Sequence, residues 1–205
     1  MSVRALATQC TRIGAAVLPS VAIGGALVGC AWMLSSADAA SARTAMVSRI
    51  PRTIGPLVAG ILVAARAGAL IAGEFGELRS GQQVDWLRAA GLGRLRHLVA
   101  PRLLATVLVL PVAALVVDAT ALTAASLLGV PRGVDALAQL AATDVWIGLA
   151  KAALFGATLA GVASAVGLLL RGASPDVPRL ASRGAVAAIL AVVALDLLLV
   201  ASRLS

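Results

Sequence analysis

The sequence predicts an all-α, polytopic membrane protein. Five transmembrane helices are expected, with an amphipathic cytoplasmic helix between the second and the third. Three observations predict this. Hydrophobic residues make up 60% of the 205-residue chain and charged residues only 13%, where a soluble domain needs about a quarter charged to cover its surface. The mean hydropathy is +1.00, far too apolar for a disordered chain. Aromatic residues amount to 2%, with no Tyr, which argues against a β-barrel with aromatic girdles. The length suits a single domain over residues 1–205.

A spanning helix needs about 20 mostly apolar residues, and five stretches supply them. The first covers residues 15–34 and contains the Gly24-Gly25 pair. The second covers 54–75 and is interrupted by Arg66. The third covers 103–130, with Pro111 as the expected kink and Asp118 inside. The fourth covers 145–170, with Lys151 near its start and small residues from Gly156 to Gly161. The fifth covers 184–201, with Asp196 inside. Small residues let helix backbones approach closely, which drives association in lipid. The first apolar stretch is read as a spanning helix, and no cleaved signal peptide is expected.

The formal charge of +8 comes from 17 basic and 9 acidic residues. The basic residues sit mainly in the loops, where they set orientation and touch lipid head groups, so no nucleic-acid partner is expected. Ten arginines fall on one side: Arg4, Arg12, Arg79, Arg88, Arg94, Arg96, Arg102, Arg171, Arg179 and Arg183. Five fall on the other: Arg43, Arg49, Arg52, Arg132 and Arg203. The positive-inside rule therefore puts the N-terminus in the cytoplasm and the C-terminus outside. The long cytoplasmic loop, 76–102, places Val84, Trp86 and Leu87, then Leu92, Leu95, Leu98 and Val99, at spacings that suit two short amphipathic helices broken around Gly91 to Gly93. Periodicity alone leaves two readings of this loop open. It is either a membrane-surface helix with Arg on lipid phosphates or a docking helix for a cytoplasmic partner.

Several chemistries are missing. There is no G-x-x-x-x-G-K-[ST] loop, and the one lysine, Lys151, is followed by Ala152, so no nucleotide site of this chain's own is expected. His97 is the single histidine, and neither H-E-x-x-H nor G-x-S-x-G occurs, so an enzyme is not expected. Cys10 and Cys30 have no metal-like spacing and are read as free thiols. No catalytic residue, metal site or cofactor is assigned.

From Arg52 the chain reads RTIGPLVAGILVAARAGALIAGEFGELRSGQQVDWLRAAGLGRLRHLVAPRLLA. This resembles the MlaE/YrbE permeases of Mla- and Mce-type lipid ABC transporters, whose pattern runs R-E-x-G-P, G-R-x-G-S-A-x-x-A-E-x-G, E-Q-x-x-A-L and L-V-x-P-R. The matching residues are Arg52, Gly55, Pro56, Arg66, Gly68, Glu74, Gly76, Gln83, Leu87, Leu98, Val99, Pro101 and Arg102. Further on, GLAKAALFG at Gly148 to Gly156 resembles G-L-x-K-x-x-x-F-G, and ALDLLLV, with Asp196, resembles L-D-F-x-L-T. Departures occur at Thr53 and Gln82, where the family has Glu, at Gly93-Arg94 for Asp-Pro, and at Ala124-Ala125 for Gly-Gly.

The resemblance implies a permease subunit in the bacterial inner (cytoplasmic) membrane. It would pair with a second permease chain, in a homo- or heterodimer, on a separate cytoplasmic ABC ATPase. Mce-domain proteins would hand over lipid outside. It also makes the loop an ATPase-coupling element, with Gln82, Gln83, Asp85, Trp86, Leu87 and Arg88 as its contact residues. Trp86 and Leu87 would be its buried anchors. A lipid cavity is expected between paired permeases, lined by Gly60, Ala64, Ala67, Gly68 and Ile71. The intramembrane charges Arg66, Glu74, Asp118 and Asp196 form a candidate cluster. Within one straight helix Glu74 lies about 12 Å along the axis from Arg66 and about 80° around it, so Arg66 is expected to meet Asp118, Asp196 or both. A second class of function is a membrane scaffold, or a small secondary transporter with a buried charge relay. Such transporters usually carry internal repeats, and none is visible.

Overall fold

The computed structural model describes residues 3–35, 49–81, 98–128, 142–169 and 177–202. Five long helices account for most of these: α1 (Val3–Ser35), α2 (Gly55–Ser80), α3 (Ala100–Leu127), α4 (Ala142–Leu169) and α5 (Val177–Ala201). A π-helical turn, Ile50–Ile54, leads directly into α2. The described residues contain no strand. Five apolar spans of 25 to 30 residues run through these helices, each about 38 to 45 Å long at 1.5 Å per residue. That exceeds the ~30 Å hydrocarbon core of a bilayer.

The helices overrun the apolar stretches that announce them. α1 begins at Val3 rather than at 15, and α5 at Val177 rather than at 184. The extra turns carry polar residues such as Thr8, Thr11 and Arg12, or Arg179, Ser182 and Arg183. Hydropathy marks the part of a helix that lies in lipid. The backbone hydrogen-bond ladder continues into the interface, where the ends meet water. α3 continues through Pro111, which lies inside it. The coupling segment, including Gln82, Gln83, Asp85, Trp86, Leu87 and Arg88, lies outside the described residues, as does His97.

α2, α3 and α4 pack mutually; α1 lies mainly on α3, and α5 mainly on α2. Two helices show the packing rule plainly. In α1 the buried positions are Ile13, Val17, Val21, Gly25 and Gly29, and in α5 they are Leu180, Gly184, Ala188, Val192 and Asp196. Both are i, i+4 ridges, the rows that interlock with the grooves of a neighbouring helix. Close approach depends on glycine at two of these contacts. A Cβ on Gly29 would strike the Ala121 carbonyl of α3, and one on Gly184 would strike the Ala72 side chain and lie 2.9 Å from the Gly68 carbonyl oxygen. Of the small residues noted in the sequence, Gly25 and Gly156 sit in such contacts, whereas Gly161 meets nothing within 4 Å. The α3–α4 contact gains a polar tie, because the buried Thr106 hydroxyl donates to the Gly156 carbonyl at 3.0 Å.

The outward faces are apolar. Leu18, Ile23 and Leu27 of α1, Leu108, Val112 and Leu115 of α3, and Val186, Leu190 and Leu197 of α5 are all exposed. An aqueous surface does not tolerate that much contiguous apolar area, whereas lipid does. Helices α2 and α5 run antiparallel, since Gly60 meets Val192 and Gly68 meets Ala188, and so do α2 and α3, since Gly55 meets Asp118 while Glu74 meets Arg102. The bundle thus has a proximal end, where α2 begins, and a distal end, where α2 finishes. Trp32 and Trp146 both belong to the proximal end, as interfacial anchors do.

Candidate functional site

The charged residues inside the helices separate into three places. At the proximal end, Lys151 of α4 approaches Asp196 of α5, with Nζ 2.6 Å from Oδ1 and side-chain exposures of 4% and 9%. The contact is close, though off the line of an aligned hydrogen bond. Lys151 Nζ also lies 5.8 Å from the centre of the Phe155 ring. Gly148, one turn back, packs against the Pro51 carbonyl of the π-helical turn. The Gly148 to Gly156 motif therefore acts as one unit: glycines bring α4 close to its neighbours, and Lys151, with Phe155 beside it, meets the Asp196 carboxylate.

Asp118 of α3 sits apart from this pair. Its carboxylate lies against Gly55, where any side chain on residue 55 would collide with it. Its Oδ1 is buried with no hydrogen-bond partner.

The distal end carries a second ionic centre, on Glu74 of α2. Its Oε1 accepts from Arg12 of α1 at 2.6 Å. Its Oε2 accepts from Arg102 of α3, from Nη2 at 2.8 Å and from Nε at 3.0 Å. The Arg102 guanidinium stacks 4.4 Å from the Phe75 ring centre and donates to the Leu98 carbonyl at 2.7 Å. One carboxylate thus ties three helices together, at the point where the chain returns from the 82–97 segment into α3. Nearby, Arg79 donates to the Leu168 carbonyl of α4.

Between these ends, on the face of α2 turned away from the core, an open-sided groove of about 720 Å³ runs among α1, α2 and α5. Such a volume falls within the range of small-molecule sites. Leu62, Ala65, Arg66, Ala69 and Leu70 of α2 line it, with Ala181 of α5, and Arg12, Glu74 and Glu77 stand at its distal end. Arg66 is exposed in this groove.

The expected meeting of Arg66 with Asp118 or Asp196 does not occur, and the reason is register. Asp118 is level with Gly55, and Asp196 lies one turn beyond Val192, which is level with Gly60. Arg66 is eleven residues past Gly55 in sequence, which is about 16 Å along the helix. It also points to the opposite side of α2, since Ala64, Ala67 and Gly68 are the buried neighbours. Glu74 serves Arg12 and Arg102 instead. The residues expected to line a lipid cavity are seated inside one chain. Ala64 and Ala67 are 0% exposed and Ile71 2%. Gly60 is filled against by Val192 and Phe155, and Gly68 by Ala188. Their small size serves helix packing, and the open volume lies on the other face of α2. The Lys151–Asp196 pair was within reach of sequence reasoning: both fall in motifs that carry the resemblance, and a lone intramembrane lysine needs a buried acid. At the proximal end Arg52 also meets Asp144 at 3.5 Å, half exposed.

The comparisons with known proteins agree with this architecture. The chain matches the Permease MlaE family over residues 6–202. A probable ABC transporter permease protein of Rickettsia bellii is 34% identical over 124 residues, covering 57% of this chain and 48% of that protein. The intermembrane phospholipid transport system permease protein MlaE of Haemophilus influenzae is 30% identical over 159 residues, covering 73% of this chain and 61% of that protein. The chloroplastic protein trigalactosyldiacylglycerol 1 of Arabidopsis thaliana is 27% identical over 134 residues, covering 62% of this chain and 38% of that protein. The chain therefore spans about half the length of the Rickettsia permease that it matches. Five apolar helices long enough to cross a membrane, and a family match across nearly all of their length, establish that this chain belongs to the MlaE permease family.

Proposed function

We propose that this chain is the membrane permease subunit of an ABC-type transporter that moves phospholipid or another envelope lipid. The observation that carries the reading is the family match over residues 6–202. The α1/α2/α5 groove supports it, because an open volume with apolar walls and a charged rim suits an amphiphile. A separate ATPase subunit supplies the energy, since the sequence holds no phosphate-binding loop. Gln82, Gln83, Asp85, Trp86, Leu87 and Arg88 form the proposed contact with it. The Arg102–Glu74–Arg12 centre then links that contact to α1 and to the distal end of the groove.

The proposed setting is the bacterial cytoplasmic membrane, with the distal end facing the cytoplasm. Arg12, Arg79, Arg102, Arg179 and Arg183 at that end favour the orientation, by the positive-inside rule. A second permease chain and Mce-domain proteins complete the proposed assembly. Co-purification from the native membrane, followed by lipid mass spectrometry, tests the reading. An ATPase subunit and bound phospholipid are expected. Recovery of the chain with neither one refutes the transporter and favours a scaffold.

A further inference from the structure

We infer that Arg66 binds the phosphate of a lipid held in the α1/α2/α5 groove, an assignment that rests on the lipid-transport reading above. Depth is the first argument. Arg66 is near the middle of the span Ile50–Arg79, about 24 Å from its start and about 20 Å from its end at 1.5 Å per residue. Snorkelling to the head groups is open to cations near helix ends, not to one at this depth. The second argument is the missing counter-ion. Among the described residues Arg66 forms no ion pair, while Glu74 is bonded to Arg12 and Arg102 and Asp196 to Lys151. Glu77 shares the groove, yet it is eleven residues on, about 16 Å along the same helix.

The third argument is where the side chain points. A guanidinium that stabilised the bundle would be turned into it, as those of Arg102 and Arg79 are. Arg66 is turned into the groove instead, away from every acid among the described residues except Glu74 and Glu77 at the distal end, and its anion is the one that a groove ligand carries. The walls beside it decide what carries that anion. Leu62, Ala65, Ala69 and Leu70 flank Arg66, and a free inorganic ion gains nothing from apolar walls. A lipid fits both parts. Its acyl chains take the apolar walls, and its phosphate takes the planar fork of the guanidinium through two parallel N–H···O bonds. At the distal end the other cation of the groove, Arg12, is bonded to Glu74, which leaves Arg66 as the place where a phosphate settles.

The test uses the full chain in detergent micelles, with fluorescent phosphatidic acid and fluorescent diacylglycerol as probes, which differ by the phosphate. Arg66→Gln is expected to bind phosphatidic acid about tenfold more weakly or worse, the scale of a lost charge-assisted bond, and diacylglycerol as the parent does. Arg66→Lys should retain part of the difference, and Leu62→Trp, which narrows the groove, should weaken both probes. Millimolar inorganic phosphate should not displace the lipid. The assignment is overturned if Arg66→Gln binds phosphatidic acid like the parent, or if inorganic phosphate competes as well as the lipid does. It is equally overturned if Arg66→Gln keeps its lipid but loses a cross-linked dimer, since a carboxylate of a second copy would then be the counter-ion. If the parent binds neither probe, the lipid-transport reading itself fails. If it binds both and Arg66→Gln changes nothing, only the role of Arg66 fails.

Discussion

Removing Lys151 should cost this protein more than removing Lys151 and Asp196 together. The two charges are 2.6 Å apart and almost fully enclosed. At an effective dielectric of about 20 their attraction is roughly 6 kcal/mol. That gain is set against the loss of hydration, several kcal/mol for each ion. The gross terms nearly cancel, so the intact pair adds little net stability. Lys151→Met breaks the balance. It leaves the Asp196 carboxylate buried, with neither water nor cation, at a cost of about 3–5 kcal/mol. Asp196→Leu should cost a similar amount by stranding the ammonium. The double variant replaces both by apolar groups of similar volume and should come within ~1 kcal/mol of the parent. For a chain of this size each kcal/mol moves the midpoint by about 2–4 °C, so each single variant should lose about 6 to 20 °C. The assay is thermal unfolding in detergent followed by the fluorescence of the three tryptophans, Trp32, Trp86 and Trp146, with membrane insertion checked separately. If the two single losses simply add in the double variant, the residues do not compensate one another and the reasoning is refuted. A parent-like double variant that assembles but moves no lipid would assign the pair to transport rather than to folding.

Three further outcomes follow from the same geometry. At the distal end, Glu74→Gln should destabilise by about 1–3 kcal/mol, because it removes the anion from the mostly buried Arg102. Arg12→Ala should cost less than ~1 kcal/mol, since Arg12 is 61% exposed; equal thermal shifts for the two would contradict this. In the helix contacts, Gly29→Val should cost at least about 1–3 kcal/mol by overpacking against Ala121, whereas Gly161→Ala should be neutral or stabilising by up to ~1 kcal/mol, and the two unfolding midpoints report the difference. In the 82–97 segment, Trp86→Asp should abolish co-purification of the ATPase while the permease stays in the membrane, and a complex that survives the change removes Trp86 from the contact.

Composition and hydropathy by themselves determined that this chain is a bundle of five membrane-crossing helices. The physical reason is local. A backbone in lipid must satisfy its own hydrogen bonds, so an apolar stretch of sufficient length has only the helix open to it. The order of motifs also carried the family, since glycines, Arg66, Glu74, Lys151 and Asp196 stand at spacings that sequence displays directly. Helix ends were less legible: the polar first turns of α1 and α5 are helical without being apolar. What the tertiary structure alone decided is which charges meet. Both Arg66 and Lys151 are lone cations inside apolar stretches, and Asp118 and Asp196 are acids of the same kind. Their pairing depends on axial register and on which face of each helix turns inward. Those are set by contacts such as Gly60 with Val192 and Gly29 with Ala121. A shift of one turn moves a side chain 5.4 Å, more than the reach of an ion pair. The same holds for the small residues of α2. Gly60, Ala64, Ala67 and Gly68 read equally well as cavity wall or as packing surface until α4 and α5 are in place. Their burial in the assembled bundle leaves Arg66 and the opposite face of α2 open.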